Sequence, residues 1–184
     1  MNSIFKKLSI PEIILIEPKI FSDNRGFFFE NFKEGDFLSN GIKKLIQDNI
    51  SYSTQGVIRG LHYQKNPKAQ AKLVTAVTGK IFDVAVDIRK NSPTFGKWVG
   101  EILSNENHRS LYIPEGFAHG FSVLSKEANV FYKVSNEYSK ENEGGIRWDD
   151  PSINIQWSIK QPIISEKDDS LPLLNDIDNN FIYD

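Results

Sequence analysis

Residues 72–87 read KLVTAVTGKIFDVAVD, two runs rich in β-branched and aromatic residues on either side of Thr78-Gly79. Val, Ile, Thr and Phe fit the pleated, half-buried surface of a β-strand. A short turn containing glycine between two such runs is typical of a β-hairpin. The stretch therefore predicts two strands, at 72–77 and 80–87, joined as a hairpin by a tight turn.

Runs of the same kind recur along the rest of the chain. Strands spaced about eight to twelve residues apart and separated by turn signals favour a β-sandwich or barrel. Residues 31–45 favour one or two short helical turns, and the polar, Asp-rich residues 159–184 predict an irregular segment. We expect one all-β domain over residues 1–184, with an irregular acidic tail at about 175–184. The further predicted strands cover residues 13–16, 26–30, 97–103, 110–114, 120–124 and 129–134.

The composition excludes several functional classes. Aromatic residues make up 12% of the 184 residues, which indicates a folded core, and the net charge of −2 gives no reason to expect nucleic-acid binding. The chain has no cysteine, which excludes a disulfide framework, a thiol nucleophile and a thiolate metal site. Residues 1–10 do not resemble a signal peptide, because Lys6 and Lys7 interrupt them, and no apolar run reaches membrane length. We therefore expect a cytoplasmic protein that has no membrane span.

The segment Arg59-Gly60-Leu61-His62-Tyr63-Gln64 combines a fixed cation, an imidazole, a phenol and an amide. Imidazole is the side chain whose ordinary pKa lies closest to neutral pH, which suits it to proton transfer. By itself the segment is typical of a half-buried strand end, with His62 and Gln64 on one face and Leu61 and Tyr63 on the other. The other polar segments of the chain, taken singly, are equally typical of surface loops.

Together, these polar segments form an ordered set of motifs. In sequence order the motifs are Asp-x-Arg-Gly-x-Phe-x-Glu at 23–30, Gln-Asp-Asn at 47–49, the segment 56–64, Ala-Lys at 71–72, Ile-Pro-Glu-Gly-Phe-Ala-His-Gly at 113–120, Tyr-Lys at 132–133, Glu-Gly-Gly-Ile-Arg-Trp at 143–148 and Ser-Glu-Lys-Asp at 165–168. Through these motifs, the chain resembles the dTDP-4-dehydrorhamnose 3,5-epimerase family over about residues 21–174, nearly its whole length. The resemblance implies an all-β, cupin-type jelly-roll sandwich or barrel with short peripheral helices.

The resemblance implies an isomerase that uses no cofactor. Such an enzyme inverts C3 and C5 of dTDP-4-dehydro-6-deoxy-D-glucose and gives dTDP-4-dehydro-L-rhamnose, in dTDP-L-rhamnose biosynthesis. Each inversion removes a proton α to the 4-keto group and returns one to the opposite face, which requires a base, an acid and a cation near the enolate oxygen. By the resemblance, His62 is the base, Tyr132 is the proton donor and Lys72 supports the enolate oxygen.

A carboxylate is expected behind the His62 imidazole, where it would hold the tautomer and stabilise the imidazolium. The resemblance points to Asp168 for this role. Asp169 is its neighbour in the chain and Asp83 lies on the predicted strand 80–87, so both remain alternatives.

The resemblance also implies which residues bind the nucleotide sugar. Arginine suits phosphate because its planar fork binds two oxygens at once, and the aromatic face of Tyr138 would stack on the thymine. Arg25, Arg59 and Lys167 resemble the positions for the diphosphate and sugar. Some contacts in this family come from a neighbouring subunit, so a homodimer is implied. The full set of implied substrate-binding positions is Arg25, Glu30, Gln47, Asn49, Arg59, His119, Tyr138, Glu143 and Lys167.

We do not expect a metal site. Metal-binding cupins typically carry His-x-His with a following Glu in one motif and Pro-x-Gly-x-x-His in a second. This chain has the second motif at 114–119, but Gln64 replaces one histidine of the first. Two histidines without an obvious third ligand form a poor site for zinc or iron.

Three alternative functions remain open. Close relatives invert C3 alone or C5 alone, and others with the same fold are 3,4-ketoisomerases. A cupin that only binds sugar would keep Arg25, Arg59, Lys72 and the stacking tyrosine, but would not need a base and an acid on opposite faces. The combination of His62, Tyr132 and Lys72 favours double epimerisation.

Overall fold

The computed structural model describes residues 2–183 and is built almost entirely from β-strands. Its helices are α1 (Glu34–Ser39) and α2 (Glu166–Asp169), and 3₁₀ turns cover Lys140–Asn142 and Leu174–Asp176. Within residues 2–183, no helix combines the length and the apolar character needed to cross a bilayer. In chain order the strands are β1 (Ser3–Lys7), β2 (Ile14–Pro18), β3 (Phe21–Asp23), β4 (Gly26–Phe28), β5 (Gln47–Thr54), β6 (Ile58–Gln64), β7 (Lys72–Thr78), β8 (Lys80–Asp87), β9 (Trp98–Ser104), β10 (Ser110–Ile113), β11 (Phe117–Val123), β12 (Glu127–Val134) and β13 (Glu143–Gly145).

Eleven of the strands form two antiparallel sheets that pack face to face. The six-stranded sheet has the order β1-β2-β10-β7-β12-β5, and the five-stranded sheet has the order β13-β6-β11-β8-β9. Strands β3 and β4 form a separate two-stranded hairpin. The chain repeatedly changes sheet between consecutive strands, which is typical of a sandwich. The predicted all-β architecture with short helices at its periphery is confirmed.

The hairpin predicted at residues 72–87 is wrong, although both of its strands are present. Strand β7 pairs with β10 and β12, whereas β8 pairs with β11 and β9. The tight turn therefore carries the chain from one sheet to the other. Gly79 permits this corner with φ +75°, and an added Cβ there would lie only 2.1 Å from the Glu127 carbonyl oxygen. The apolar runs are long because central strands are covered on both faces, and this pattern does not encode which strand is the partner.

Three clusters of buried apolar side chains hold the two sheets in place. The first fills the space between the sheets and includes Val74 and Val130. The second covers the outer face of the five-stranded sheet, where Val86 packs with Trp157 from the C-terminal third of the chain. The third lies on the outer face of the six-stranded sheet, under Phe37 of α1. Each fully buried side chain of this kind contributes about 1.5–3 kcal/mol of transfer free energy.

The tail at residues 175–183 has little regular secondary structure but is packed against the sandwich. Phe181 is 6% exposed, and its carbonyl oxygen accepts the Lys90 N–H at 3.0 Å. The hydroxyl of Tyr63 donates to the carbonyl oxygen of Asp178 at 3.1 Å, which ties the tail to β6. The segment thus covers apolar surface of the five-stranded sheet, a role that the sequence did not predict.

Two glycines bring β6 and β11 into close contact. The register between these strands shifts by one residue around Gly60, which is the mark of a β-bulge. Gly60 has φ +125°, and an added Cβ would lie 2.5 Å from the Cα of Gly120. Because of the bulge, Arg59 and His62 both line the space between the sheets, although strict alternation would put residues three apart on opposite faces.

We expect Gly60→Ala to lower the free energy of unfolding by about 2–4 kcal/mol, because the methyl group meets Gly120 and places an L-residue at positive φ. Urea unfolding followed by tryptophan fluorescence measures this change. Gly35→Ala in α1 is the matched control, since nothing lies within 4 Å of the added Cβ. Alanine is the better helix former by up to about 1 kcal/mol, so this variant should be at least as stable as the wild type. A Gly60→Ala protein of wild-type stability would contradict the close approach.

Candidate active site

A cavity of about 620 Å³ lies between the two sheets. Strands β6 and β11 of the five-stranded sheet form one wall, and β5, β7 and β12 of the six-stranded sheet form the other. Its lining combines cations, imidazoles, phenols and amides, which suits a polar, charged ligand. The side chains singled out from the sequence that line the cavity are Gln47, Asn49, Arg59, His62, Lys72, His119, Tyr132, Tyr138 and Glu143.

His62 projects from β6 and is held by a carboxylate from α2. Its Nε2 lies 2.7 Å from Asp168 Oδ1, and Asp168 Oδ2 accepts the Gly60 N–H at 3.2 Å. The hydroxyl oxygen of Ser165 caps α2 by accepting the Asp168 N–H at 3.1 Å, which orders the short helix that presents the carboxylate. The His62 side chain is 30% exposed and that of Asp168 only 6%, so the imidazole is open to the cavity and the carboxylate is not.

Of the three carboxylates left open by the sequence, Asp168 is the one that contacts His62. Successive residues of an α-helix point about 100° apart, so Asp168 and Asp169 cannot both face β6. Asp169 is exposed on α2, and Asp83 forms a hydrogen bond with His119 instead.

The charge state of Asp168 determines the tautomer of His62. Burial acts to raise the pKa of Asp168, but the hydrogen bond and charge of His62, together with the Gly60 N–H, hold this pKa below its ordinary value. The carboxylate is therefore ionised at neutral pH and only accepts hydrogen bonds, so Nε2 of His62 carries a hydrogen. The neutral ring then has its lone pair on Nδ1, where it can take up a proton.

A second imidazole–carboxylate pair lies beside the first. His119 is directly opposite His62 in the β6–β11 register, and its Nε2 lies 2.8 Å from Asp83 Oδ1. The two side chains are 7% and 0% exposed. Burial lowers the pKa of His119 and outweighs the opposing effect of Asp83, while the charges of Lys72 and His62 lower it further. His119 is therefore neutral at pH 7.

Lys72 and Tyr132 enter the cavity from the six-stranded sheet, across from the two histidines. The Nζ of Lys72 donates to the carbonyl oxygen of His62 at 3.3 Å. Burial lowers the pKa of Lys72 to about 8, although the charges of Asp83 and Glu143 act to raise it. The amine is thus mostly protonated at neutral pH but loses its proton within the mildly alkaline range.

Glu143 organises one side of the cavity mouth. It accepts hydrogen bonds from Lys167 Nζ at 2.6 Å and from the Tyr138 hydroxyl at 3.2 Å. Burial acts to raise the pKa of Glu143, but the bond and charge of Lys167 bring it below its ordinary value. Lys167 does not itself line the cavity and contacts it through Glu143. The Tyr138 ring is 57% exposed, so its face is available to a flat ligand.

Gln64 supports the cavity mouth, and the sequence did not predict this role. It is 4% exposed, and its Nε2 donates to the carbonyl oxygens of Lys68 at 2.6 Å and Glu137 at 3.2 Å. Its Oε1 accepts the Ser139 N–H at 2.7 Å. These bonds tie the segment that carries Tyr138 to β6. The available signal was the position of this amide, on the same face of the expected strand end as His62, because an amide that is buried there has to find partners.

Arg25 and Glu30 do not line the cavity. Arg25 lies at the turn of the β3–β4 hairpin, where its side chain is 85% exposed and forms an ion pair with Asp23 at 2.5 Å. Glu30 accepts a hydrogen bond from the side-chain amide of Asn2. A single chain therefore does not bring these two residues together with the other predicted site residues.

The donor set of the cavity does not form a metal site. In the part of the chain that the structure describes, residues 2–183, no three or more His, Cys, Asp or Glu side chains are arranged to hold a metal ion. The imidazoles of His62 and His119 each bind their own carboxylate, and the amide of Gln64 is used by backbone groups. The expected independence from metal rests on this donor set and stays a prediction.

Residues 7–176 match the family model described as dTDP-4-dehydrorhamnose 3,5-epimerase. A dTDP-4-dehydrorhamnose 3,5-epimerase of Shigella flexneri is 58% identical over 164 residues, which cover 88% of this chain and 91% of that protein. One of Salmonella typhimurium is 52% identical over 172 residues, which cover 92% and 94%. The crystal structure of a dTDP-6-deoxy-D-glucose-3,5-epimerase from Legionella pneumophila, in complex with dTDP-4-keto-L-rhamnose, matches with a TM-score of 0.92 at 49% identity and covers 96% of this chain and 95% of that one. With these structural relatives, the predicted cupin-type fold class is confirmed.

In ¹³C NMR spectra of protein with labelled lysine, we expect the Cε resonance of Lys72 to titrate with a midpoint near pH 8, because burial disfavours the ammonium. The same spectra of the Lys72→Met variant assign the resonance by its loss. A midpoint at the ordinary value of 10.5 would show that the amine is solvated and would contradict the buried position.

Proposed function

The chain belongs to the dTDP-4-dehydrorhamnose 3,5-epimerase family, and we propose that it inverts C3 and C5 of dTDP-4-dehydro-6-deoxy-D-glucose to give dTDP-4-dehydro-L-rhamnose. It is an enzyme of the isomerase class, and its reaction is a step of dTDP-L-rhamnose biosynthesis. The observation that carries the proposal is the cavity itself. An imidazole–carboxylate pair on one wall lies across from a phenol and a half-buried amine on the other. These are the groups that inversion next to a ketone requires.

The chemistry follows from the acidity of hydrogens α to a carbonyl. His62 Nδ1 takes the proton from C3 or C5, the C–H electron pair forms the C=C bond of an enolate, and the carbonyl electrons move to O4. Tyr132 then donates its hydroxyl proton to the opposite face of the carbon, and the C=O bond forms again. Solvent returns a proton to Tyr132 and removes one from His62. No electrons are gained or lost overall, so the reaction needs no redox cofactor.

Asp168 and Lys72 lower the energy of the charged intermediates. The carboxylate of Asp168 offsets the positive charge that His62 acquires when it takes the proton. The ammonium of Lys72 offsets the negative charge on O4. Both act in a buried site, where an electrostatic contact is stronger than in water, and one such contact is worth about a hundredfold to a thousandfold in rate.

The cavity mouth is the proposed binding site of the nucleotide. The Arg59 guanidinium is held by the Ser53 hydroxyl at 2.9 Å and by the Tyr52 carbonyl at 3.2 Å, and would bind the diphosphate with Lys167. The exposed ring of Tyr138 would stack on the thymine. Gln47, Asn49, His119 and Glu143 are the proposed further contacts of the nucleotide sugar.

Arg25 and Glu30 are proposed to act in the cavity of a second copy, within a homodimer. Support comes from the β3–β4 hairpin, which carries Arg25 and exposes 59% of Phe27 and 65% of Phe28. Neighbouring exposed aromatic side chains of this size are typical of a surface that another protein covers. The exposed Arg25 side chain would then extend the cationic set for the diphosphate.

We propose further that residues 1–184 act as one catalytic domain in the cytoplasm. A diphosphate carries charges that do not enter a bilayer unaided, so the enzyme has to be where its nucleotide sugar is made.

Incubated with dTDP-4-dehydro-6-deoxy-D-glucose in D₂O without added metal, the protein should place deuterium at both C3 and C5, as measured by NMR. Loss of the base in His62→Ala should slow this exchange about a thousandfold. Tyr132→Phe is the matched variant: its base is intact, so it should exchange deuterium without inversion. Exchange at one carbon would indicate a single epimerase, and exchange at neither would indicate a sugar-binding protein. Normal exchange by His62→Ala would disprove the assigned base.

Mixing Arg25→Ala and His62→Ala subunits should restore activity if Arg25 acts in the partner's cavity. A mixed dimer then has one site with both residues intact. With random exchange of subunits, half of the dimers are mixed, so about a quarter of the wild-type kcat is expected by this arithmetic. Refolding the two variants together and separately, followed by the D₂O assay, measures this. Activity no greater than that of the separate variants would show that Arg25 serves its own chain.

A further inference from the structure

Asp83 is a buried carboxylate, and among residues 2–183 only one of its two oxygens has a hydrogen-bond partner. It lies on β8 with no exposed surface, and its Oδ1 binds His119. Its Oδ2 is also buried and has no hydrogen-bond partner among residues 2–183. Burying such an oxygen costs free energy. His119 does not require it, because an asparagine would offer the same hydrogen bond through its amide oxygen. The negative charge of Asp83 therefore needs another explanation.

Lys72 is the cation that benefits from this charge. Burial lowers its pKa to about 8, and of the charges that raise this pKa, Asp83 has the largest effect. Glu143 has the next largest, but it already accepts a hydrogen bond from Lys167. Within the described residues, Lys72 forms one hydrogen bond, to the carbonyl oxygen of His62. An ammonium has three donors, so most of its capacity is available for a ligand.

We propose that Asp83 is a positioning residue, whose buried charge keeps Lys72 in its ammonium form beside the enolate oxygen while it also orients His119. The inference rests on the proposed function, in which Lys72 supports O4. The geometry allows this, because Asp83 binds His119 from behind, and His119 and Lys72 line the same cavity from opposite sheets. Asp83 thus acts on the reaction from within the wall of the cavity, without contact with the sugar.

The basic and phenolic groups that face Lys72 do not stabilise its charge. None of these side chains supplies a negative charge to Lys72. They are Arg59 and His62 on β6, His119 on β11 and Tyr132 on β12. A stabilising charge therefore has to come from a carboxylate.

Among residues 2–183, two carboxylates line the cavity itself, and each is bound to a lysine outside it. Asp48 on β5 lies 2.7 Å from Lys133 Nζ and is 54% exposed, so water and its partner screen its charge. Glu143 on β13 lies 2.6 Å from Lys167 Nζ. The imidazole of His119 beside Asp83 is neutral at pH 7, so the charge of Asp83 remains available to Lys72.

Asp83→Asn removes the charge and retains the acceptor for His119. In the wild type, kcat should fall as pH rises through the pKa of Lys72, about 8, because only the ammonium supports the enolate. Without the carboxylate, Lys72 loses its proton at lower pH, so the decline of kcat on the alkaline side should begin at lower pH. If the pKa of Lys72 falls by one unit, the ratio of kcat at pH 8 to kcat at pH 6 should fall about fivefold. KM should change less than about threefold, since Asp83 does not touch the substrate.

The Lys72 Cε resonance tests the same inference without reference to activity. Its midpoint in Asp83→Asn should lie clearly below the wild-type midpoint. Glu101→Gln is the matched control, because it removes a carboxylate directly opposite Asp83 on β9. It should leave both the midpoint and the kcat profile unchanged. In a Lys72→Arg background, Asp83→Asn should not move the profile, because a guanidinium stays charged. If Asp83→Asn does not fold, Asp83→Ser removes the same charge.

The outcomes distinguish failure of the role proposed for Asp83 from failure of the proposed epimerase function. An unchanged Lys72 midpoint in Asp83→Asn overturns the proposal. A lowered midpoint with an unchanged kcat profile also overturns it, since the charge of Lys72 would then have no part in the reaction. If the wild type exchanges no deuterium at all, the proposed function fails, and the midpoint alone still decides whether Asp83 keeps Lys72 charged.

Discussion

The close approach of Gly60 to Gly120 is the constraint on which the cavity depends. It places a bulge in β6, so that Arg59 and His62 both face the space between the sheets. It also directs the Gly60 N–H to Asp168 and so helps to hold the carboxylate behind the imidazole. A side chain on either glycine would separate the two strands, since a Cβ on Gly120 would lie 2.7 Å from the Arg59 carbonyl oxygen. One backbone contact thus sets the positions of the base, its partner and a cation.

The two sheets enclose charged and titratable groups between them. Each imidazole of the cavity has its own carboxylate, but the two pairs differ in exposure. The His62 side chain is 30% exposed and that of His119 is 7% exposed. The exposed ring can exchange protons with a ligand in the cavity, whereas burial keeps the other ring neutral. Similar side chains on adjacent strands therefore differ in chemistry because their solvation differs.

The apolar pattern of the sequence located strands well where both faces of a strand are covered. Strands β7 and β8 are of this kind, and their positions match the prediction. Strand β5, with the sequence QDNISYST, is absent from the predicted strands. It is an edge strand whose side chains are mostly exposed or half-exposed, so it has no strong apolar signal. Strand pairing was not predictable, because the propensity of a residue for a strand contains no information about its partner.

By itself, the sequence determined the all-β class, the absence of cysteine chemistry and the residue types available to a proton-transfer site. Its ordered motifs also indicated a family. Only the tertiary structure decided that β7 and β8 belong to different sheets, that Asp168 binds His62 while Asp83 binds His119, and that Arg25 lies outside the cavity of its own chain. The reason is distance along the chain. His62 and Asp168 are 106 residues apart, and local composition and periodicity describe only a residue's immediate neighbours, so contacts of this range are set by which strands pair and by how α2 packs against β6.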